Sequence, residues 1–168
     1  MNGSEPVRRE YPPIPIVSAH ALIFREGRVL LVKRAHPPSQ ERWSVPGGAI
    51  EVGETIRAAT RREVREECGI EVEVGTVIHV VDNIVPDGSG RIRFHYVVIY
   101  SLARYVSGEA HPRSDALEVR WAAREELDVL DMHPLVRETV RRGSRDSTDE
   151  HGTEWTYDFV TGDLKPIP

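Results

Sequence analysis

The chain has 168 residues, which suits one domain, because a single core of ordinary size forms within roughly 100 to 200 residues. Apolar residues make up 39% and charged residues 29%, a balance that excludes both an intrinsically disordered chain and a membrane-embedded one. The net charge of -5 argues against a nucleic-acid polymer as partner, since phosphate contacts need clustered lysines and arginines, but a small metal-bridged polyphosphate remains compatible.

The N-terminal residues predict an extended arm and no secretory signal. Prolines and mixed charges occupy Met1–Ile16, where a signal needs an apolar run, and no apolar stretch of about 18 residues occurs in the sequence. Cys68 is the only cysteine, which excludes an internal disulfide framework and a cysteine-rich zinc site. We therefore expect a cytoplasmic protein that does not enter a membrane, with residues 1–13, which end in Tyr11-Pro12-Pro13, as a flexible arm.

The first predicted elements are a hairpin and a helix. Ile16–Phe24 and Arg28–Lys33 are rich in β-forming residues and flank the turn Glu26-Gly27, a pattern typical of a β-hairpin. Thr55–Cys68 contains neither glycine nor proline and is rich in Ala, Arg and Glu. This segment predicts a helix with Thr55 as its N-cap and Gly69 as its C-terminal stop.

Further strands and a second helix complete a predicted domain of residues 14–143. We expect three strands in this region, at Glu71–Asp82, Arg91–Arg104 and Leu117–Ala122. The turn-rich Pro86–Gly90 joins the first two, and a helix is expected at Pro134–Arg142. Strands combined with two helices indicate an α/β sandwich built on a mixed sheet.

Residues 144–168 predict a C-terminal extension with a short hairpin. Glu154–Val160 alternates like a strand, and Thr161-Gly162-Asp163 is a turn that would send the chain back. Such a hairpin has three possible uses: an added edge strand, exchange with a second subunit, or a cover for the functional site. Because strand edges pair readily and homodimers are the commonest assembly, we expect a homodimer.

Three carboxylates of the predicted helix share one face. A rotation of about 100° per residue places Glu63, Glu66 and Glu67 within an arc of about 100°. Like charges at this spacing destabilise a helix by roughly 0.2 to 0.5 kcal/mol per pair, and a bound cation reverses that effect. Carboxylate oxygens are ligands that Mg²⁺ selects, and substrate phosphates often complete its shell. The cluster therefore indicates phosphoryl chemistry.

A solvated helix with scattered exposed ion pairs is the alternative interpretation of these charges. The segment from Arg61 to Glu67, taken alone, favours that alternative. The wider spacing changes the balance, because Gly48, Glu54, Arg62, Glu63, Glu66, Glu67 and Gly69 stand at fixed separations. At background usages of about 7%, those identities coincide at a given start roughly once in 10⁸.

Gly48–Ile70 resembles the Nudix box, the signature of the Nudix hydrolase family, at every defining position. The surroundings are similar as well: Ala21–Phe24 and Val29–Arg34 match the opening hairpin, and Trp43–Gly48 matches the approach to the box. The resemblance covers about Ile14–Arg142. It implies a Nudix-type α/β/α sandwich with a mixed β-sheet and a loop-helix-loop catalytic motif.

The resemblance also implies a metal site. Glu63 and Glu67 are expected to bind a divalent ion directly, Glu66 to bind it directly or through water, and the backbone carbonyl of Gly47 to complete the site. The expected ion is Mg²⁺, with Mn²⁺ as a possible substitute.

Arg62 and Glu54 stand at the positions whose mutual contact orients the ligands in this family. The implied reaction is attack by a metal-activated water on a phosphorus atom of a diphosphate. Glu63 and Glu67 are both candidates to take the proton.

Four other residues are candidates for the site by resemblance, each with an ordinary alternative. Asp115 and Glu118 stand where related enzymes place an extra catalytic carboxylate, but they also suit a turn aspartate and an exposed strand glutamate. Arg34 resembles a phosphate-binding arginine, or is a surface residue of its strand. Trp43 is a candidate to stack on a nucleobase, or packs in the core.

The substrate implied is a small nucleoside diphosphate derivative. Phe94–Ile99 and Ser114–Trp121 are similar to bacterial members that act on ADP-ribose, and Pro86 lies sixteen residues past the box, as in that group. The first hypothesis is therefore hydrolysis of ADP-ribose to AMP and ribose 5-phosphate. The alternatives are a nucleoside triphosphate pyrophosphatase that clears damaged nucleotides, and a catalytically silent nucleotide sensor on the same scaffold.

Overall fold

A mixed β-sheet with a helix against each face forms the body of the protein in the computed structural model, which describes residues 8–146, 155–158 and 163–166. In chain order the elements are β1 (Ile16–Arg25), β2 (Arg28–Arg34), β3 (Trp43–Ser44), β4 (Gly47–Ala49), α1 (Ile56–Cys68), β5 (Glu71–Pro86), β6 (Ile92–Ser107), β7 (Ala116–Ala123), a 3₁₀ helix (Arg124–Asp128), α2 (Pro134–Asp146), β8 (Trp155–Asp158) and β9 (Asp163–Pro166).

The sheet is splayed at its centre, and this opening determines where the site lies. The strand order is β3-β2-β1-β6-β5, with β4 added to β1 and β7 added to β2. β1 runs parallel to β6 along its length, whereas the other pairings are antiparallel. β1 contacts β2 only near its end, at Phe24↔Val29, while its beginning pairs with β4 at His20↔Gly47. The loop before α1 is thereby attached to the middle of the sheet.

The signals at both ends of α1 act as the sequence predicts. Thr55 has an extended backbone, and its hydroxyl accepts a hydrogen bond from the backbone N–H of Ala58 at 3.1 Å. Gly69 adopts the left-handed conformation, with φ of 72°, and its N–H donates to the carbonyl of Arg65. The predicted helix is confirmed, and it holds its glutamates on a rigid element.

Apolar side chains fill both faces of the sheet, which confirms the α/β/α sandwich. β1 alternates: Ile23 packs with Val64 of α1 on one face, whereas Leu22 packs with Val140 of α2 on the other. Ser18 and His20 lie at alternate positions from Leu22 and so belong to the α2 face.

Several predicted boundaries differ from those observed. β5 continues to Pro86, and α2 continues through Gly143 to Asp146. A Cβ at Gly143 would lie 2.6 Å from Leu22 Cδ2, so this glycine serves close packing and does not end the helix. The short strands β3 and β4 were missed, because elements of two or three residues carry no periodic pattern.

The two ends of the chain add peripheral structure. Glu10 and Tyr11 contact the β5–β6 hairpin, where Arg93 pairs with Glu10 and the Tyr11 backbone N–H donates to the Arg93 carbonyl at 2.7 Å. β8 and β9 pair antiparallel as a separate two-stranded sheet. The remaining residues of the predicted arm and of the predicted extension, 1–7, 147–154, 159–162 and 167–168, lie outside the described residues. Neither helix in the described part of the chain has the length and apolar character needed to cross a membrane.

Candidate active site

A cavity of about 690 Å³ opens beside the junction of β1 and β4. Its walls come from β1, β2, β4, α1 and β6, and from the loops before β7 and α2. This volume lies within the range of about 300 to 1,000 Å³ typical of small-molecule sites. Glu63, Glu66 and Glu67 all line it, so the face predicted from helical spacing is one wall of the cavity.

Glu67 is the deepest of these carboxylates. It is 6% exposed, and its Oε2 accepts a hydrogen bond from the backbone N–H of Gly47 at 3.0 Å. This bond joins α1 to β4 and fixes the Glu67 carboxylate beside Gly47, whose backbone carbonyl is an expected metal ligand. The side chain of Glu63 is 15% exposed, while that of Glu66 is half exposed at the rim.

Arg62 ties the loop to this wall. Its Nε and Nη2 donate to the two oxygens of Glu54, and Nη2 also donates to the Ala49 carbonyl at 3.0 Å. Its Nη1 donates to Glu63 at 2.8 Å and to Glu66 at 3.2 Å. The guanidinium holds the pKa of Glu54 down at about 2, so this pair stays charged. The support role expected for Arg62 and Glu54 agrees with this geometry.

Two glycines bring the loop within reach of the wall. A Cβ at Gly48 would lie 2.6 Å from the Glu63 carboxylate, and one at Gly47 would lie 2.4 Å from the Ala19 carbonyl oxygen. Both distances are far below ordinary contact, so a side chain at either position requires its neighbour to move. At Gly48 the space that a side chain would need is taken by the Glu63 carboxylate, and at Gly47 it is taken by the backbone of β1.

The wall is an unfavourable place for several negative charges. Burial raises the pKa of Glu67 to about 7, with the negative charge of Glu63 adding to that rise and the Gly47 N–H opposing it. Burial also raises the pKa of Glu63, against the Arg62 hydrogen bond. Both carboxylates are oxygen donors of the kind that Mg²⁺ selects, and a cation would relieve their repulsion. The donor set therefore fits a divalent ion chemically.

The carboxylates are held apart in this structure. Among the described residues, no three His, Cys, Asp or Glu side chains stand together at metal-binding spacing. The reason is visible in the hydrogen bonds: Arg62 draws the carboxylates of Glu63 and Glu66 toward itself, while Glu67 is held by Gly47.

The two candidate loop carboxylates lie in different places. Asp115 lines the cavity, its negative charge contributes to raising the pKa of both Glu63 and Glu67, and its own carbonyl accepts a hydrogen bond from Ala35 N–H. Glu118 does not line the cavity; it extends from β7 and pairs with Lys33 at 2.7 Å. The structure thus brings Asp115 to the site and leaves Glu118 on the surface.

The two candidate substrate-binding residues are separated in the same way. Arg34 lines the cavity, and its buried Nε has no hydrogen-bond partner among the described residues. Trp43 is 8% exposed, packs in the core on the α2 face and does not line the cavity. Its indole is placed for packing, with Arg120 above the ring at 5.6 Å.

The floor of the cavity contains residues that sequence analysis missed. Ser18 and His20 are buried, and within the described residues Ser18 Oγ and His20 Nδ1 lack hydrogen-bond partners. Burial lowers the pKa of His20 to about 3, with the Arg34 charge adding to the effect, so the imidazole is neutral. Tyr100 lies beside the His20 ring, at 5.5 Å between ring centroids.

Buried polar atoms without partners are costly unless a ligand satisfies them. Alternate polar positions in an otherwise apolar strand were the available signal.

Two relatives are similar to this chain in sequence. Over 129 residues the chain is 28% identical to "ADP-ribose pyrophosphatase" of Methanocaldococcus jannaschii, covering 76% of this chain and 74% of that protein. Over 124 residues it is 36% identical to "Putative 8-oxo-dGTP diphosphatase 2" of Mycobacterium tuberculosis, covering 73% and 82%.

A solved structure and a family model agree with these relatives. The crystal structure of a MutT NUDIX hydrolase from Burkholderia pseudomallei superimposes with a TM-score of 0.64 at 30% identity, covering 76% of this chain and 97% of that one. The family model described as "NUDIX domain" matches residues 15–143, which include the whole carboxylate wall and its supporting loop. The chain therefore belongs to the Nudix hydrolase family.

Proposed function

We propose that this Nudix hydrolase cleaves the diphosphate of a small nucleoside diphosphate derivative, with ADP-ribose hydrolysed to AMP and ribose 5-phosphate as the first candidate. The observation that carries the proposal is the carboxylate wall of α1, with Glu67 buried, which faces the same cavity as the cationic Arg34. Acidic metal-type donors opposite a cation suit a substrate with several phosphate oxygens.

Glu63, Glu66, Glu67 and the Gly47 carbonyl would hold Mg²⁺, or Mn²⁺ in its place. When bound, such an ion activates water and neutralises charge that develops on the phosphate oxygens. Arg62 orients two of these carboxylates through its hydrogen bonds from Nη1. The Gly47 N–H orients the third.

The remaining groups of the cavity bind substrate and accept a proton. Arg34 offers its unpartnered Nε to a phosphate oxygen. Asp115, which lines the cavity at the end of the loop before β7, is the candidate proton acceptor outside α1. The neutral His20 and the Ser18 hydroxyl offer uncharged hydrogen bonds for a base or a sugar.

The identity of the leaving group separates two candidate substrates. The archaeal relative is described as an ADP-ribose pyrophosphatase, which supports ADP-ribose, while the mycobacterial relative favours an oxidised nucleoside triphosphate as the second candidate. Pro86, one of the sequence signals for ADP-ribose, is exposed at the end of β5 and does not line the cavity. It therefore adds nothing to the choice.

Product analysis tests the proposal. The protein is incubated with Mg²⁺ and, separately, with ADP-ribose, 8-oxo-dGTP and the common nucleoside triphosphates. AMP plus ribose 5-phosphate in equal amounts supports the first candidate; pyrophosphate plus a nucleoside monophosphate moves the assignment to the second. Binding of nucleotides without turnover of any of them would replace the enzyme by a nucleotide sensor.

Homodimerisation and a cytoplasmic location stay predictions from sequence. Light scattering of the full chain measures the first directly, and a mass of one chain would overturn it. The predicted hairpin of β8 and β9 is a candidate for the subunit contact, because the edges of short strands pair readily with other strands.

A further inference from the structure

A short N-terminal segment contributes Arg9 to the lining of the cavity, whereas the sequence predicts only a flexible arm. We name residues 8–11 the N-terminal strap. Its end is fastened at Tyr11, whose backbone N–H donates to the Arg93 carbonyl at 2.7 Å and whose hydroxyl donates to Asp87 Oδ2 at 3.0 Å. The Arg91 guanidinium lies 4.2 Å from the centre of the Tyr11 ring.

We call the contacts of Tyr11 with the β5–β6 hairpin the anchor, and hydrogen bonds of the neighbouring residues hold this anchor in place. Asp87 Oδ1 accepts hydrogen bonds from Ser89 and from the Arg91 backbone N–H, which fixes its other oxygen for Tyr11. Glu10 receives two hydrogen bonds from Arg93, at 3.1 and 3.3 Å. Tyr11 itself adopts φ of 49°, a left-handed conformation that costs an aromatic residue about 1 to 3 kcal/mol. Such a conformation persists only where the surroundings impose it.

The strap places Arg9 at the cavity. Arg9 lines the cavity, and its guanidinium lies 3.8 Å from Asp115 Oδ2. Burial raises the pKa of Tyr96 on β6, and the positive charge of Arg9 opposes that rise. Its side chain is about half exposed (53%), so Arg9 lies at the mouth, whereas Arg34 has a buried Nε. The third arginine of the lining, Arg62, is already engaged at every nitrogen.

Stability does not explain this placement. A single contact of 3.8 Å between half-exposed partners is worth less than about 1 kcal/mol. Within residues 8–146 and the two described C-terminal strands, the Arg9 guanidinium donates no hydrogen bond, and its contact with Asp115 is an ion pair at 3.8 Å. The strap therefore delivers a cation with unused donors to the mouth of an acidic cavity.

We propose that Arg9 is a substrate-binding residue that donates hydrogen bonds to a phosphate oxygen at the cavity mouth, while Arg34 binds one deeper. The inference rests on the proposed function, since it assigns a contact to the same substrate. Two cations at different depths suit a substrate whose phosphates run from the floor to the opening, such as a nucleoside diphosphate derivative. A charge-assisted hydrogen bond of this kind changes affinity by about 10-fold or more.

Steady-state kinetics with ADP-ribose test the role of Arg9. Arg9→Ala should raise KM about 10-fold with kcat within about twofold, because the contact is made in ground and transition state alike. Arg9→Lys should have a KM between those of the unchanged protein and Arg9→Ala, because an ammonium group keeps the charge but lacks the planar guanidinium fork. The matched control is Arg8→Ala, which removes the same charge from an exposed neighbour that does not line the cavity. Equal KM values for the Arg9→Ala and Arg8→Ala variants would overturn the proposal.

The strap itself gives a second test. Tyr11→Phe removes the hydroxyl bond to Asp87 and should raise KM partway toward the value of Arg9→Ala. In a variant that carries both Tyr11→Phe and Arg9→Ala, the two increases in KM should not add, because a released strap no longer holds residue 9 at the cavity. Full additivity would mean that Arg9 does not act through the strap and would overturn this part of the proposal.

Equilibrium binding separates failure of this inference from failure of the proposed function. Calorimetric titration uses α,β-methylene ADP-ribose, which resists hydrolysis, and inorganic pyrophosphate. Weaker binding of either probe by Arg9→Ala than by Arg8→Ala supports the inference even if no substrate is turned over. Hydrolysis of ADP-ribose with identical probe affinities in both variants removes the inference and leaves the function. Absence of binding by the unchanged protein removes both.

Discussion

Arg62 and Glu54 form a two-point ion pair in which Nε donates to Oε1 at 2.8 Å and Nη2 donates to Oε2 at 2.9 Å. Both side chains are about four-fifths buried, with exposed fractions of 19% and 20%. A planar fork held on both carboxylate oxygens has one orientation, and that orientation aims Nη1 at Glu63 and Glu66. The pair thus sets the position of the wall through hydrogen bonds.

The first prediction concerns this pair. Arg62→Lys keeps the charge but cannot occupy both oxygens of Glu54 and reach the wall. We expect kcat to fall, and the Mg²⁺ concentration for half-maximal rate to rise, each by about 10- to 100-fold. The control is Arg61→Lys, an exposed neighbour with only a 3.8 Å contact to Glu71. Equal Mg²⁺ titrations for the two variants would show that Arg62 does not organise the wall.

Alanine substitutions of the two loop glycines are expected to affect different properties, the rate for Gly48 and the stability for Gly47. Gly48→Ala puts a methyl group against the Glu63 carboxylate, a side-chain end that can move, so the fold survives and the rate falls by about 100-fold. Gly47→Ala puts it against the backbone of β1 and should cost about 2 kcal/mol of unfolding free energy. Urea unfolding and turnover rates measured on both variants check the contrast. A similar loss of stability in both would contradict it.

The third prediction separates the two loop carboxylates. Asp115→Asn should lower kcat by about 100-fold, the effect of losing a proton acceptor. Glu118→Gln should leave kcat within about twofold, because its exposed pair with Lys33 is worth less than about 1 kcal/mol. Steady-state kinetics of the two variants check the contrast. A kcat for Asp115→Asn within about twofold of that of the unchanged protein would exclude Asp115 as the acceptor.

The fourth prediction is a pH dependence of stability at the strap anchor. Hydrogen bonds from Ser89, and then from the Tyr11 hydroxyl and the Arg91 N–H, lower the pKa of Asp87 from 3.8 to about 2. A depressed carboxyl pKa contributes stability that is present above the unfolded value and is lost as the pH falls through the folded value. Asp87→Asn should therefore be less stable than the unchanged protein above pH 3.8, and the gap should close toward pH 2. Urea unfolding at several pH values measures the gap. A gap that stays constant with pH would rule out the charge of Asp87 as its source.

Local rules explain why α1 and its glutamate face were predictable. A cap at Thr55, a stop at Gly69 and a helical period are properties of neighbouring residues, so spacing alone placed the glutamates together. The roles of Arg62 and Glu54 came from the family resemblance, and their contacts agree with it. The central part of the site was thus accessible from one sequence.

The positions of the other candidate residues depend on tertiary packing, which local sequence rules do not predict. Asp115 and Glu118 are three residues apart, but only the first faces the cavity, because β7 pairs with β2 and turns Glu118 toward Lys33. Trp43 was a candidate for stacking on a base, but the short β3 buries it in the core. Arg9 had no signal in the sequence, since its place depends on an anchor about 80 residues away along the chain.

The most direct test of the account measures Mg²⁺-dependent hydrolysis of ADP-ribose and 8-oxo-dGTP by the Glu67→Gln variant. Glutamine keeps the size of the side chain and can still accept from the Gly47 N–H, so thermal unfolding should not shift downward. The rate should fall by about 1,000-fold or more, while Glu73→Gln, which changes an exposed pair with Arg104, should leave it unaltered. A Glu67→Gln variant that hydrolyses either substrate at the rate of the unchanged protein would contradict the assignment of this wall as the site of diphosphate cleavage.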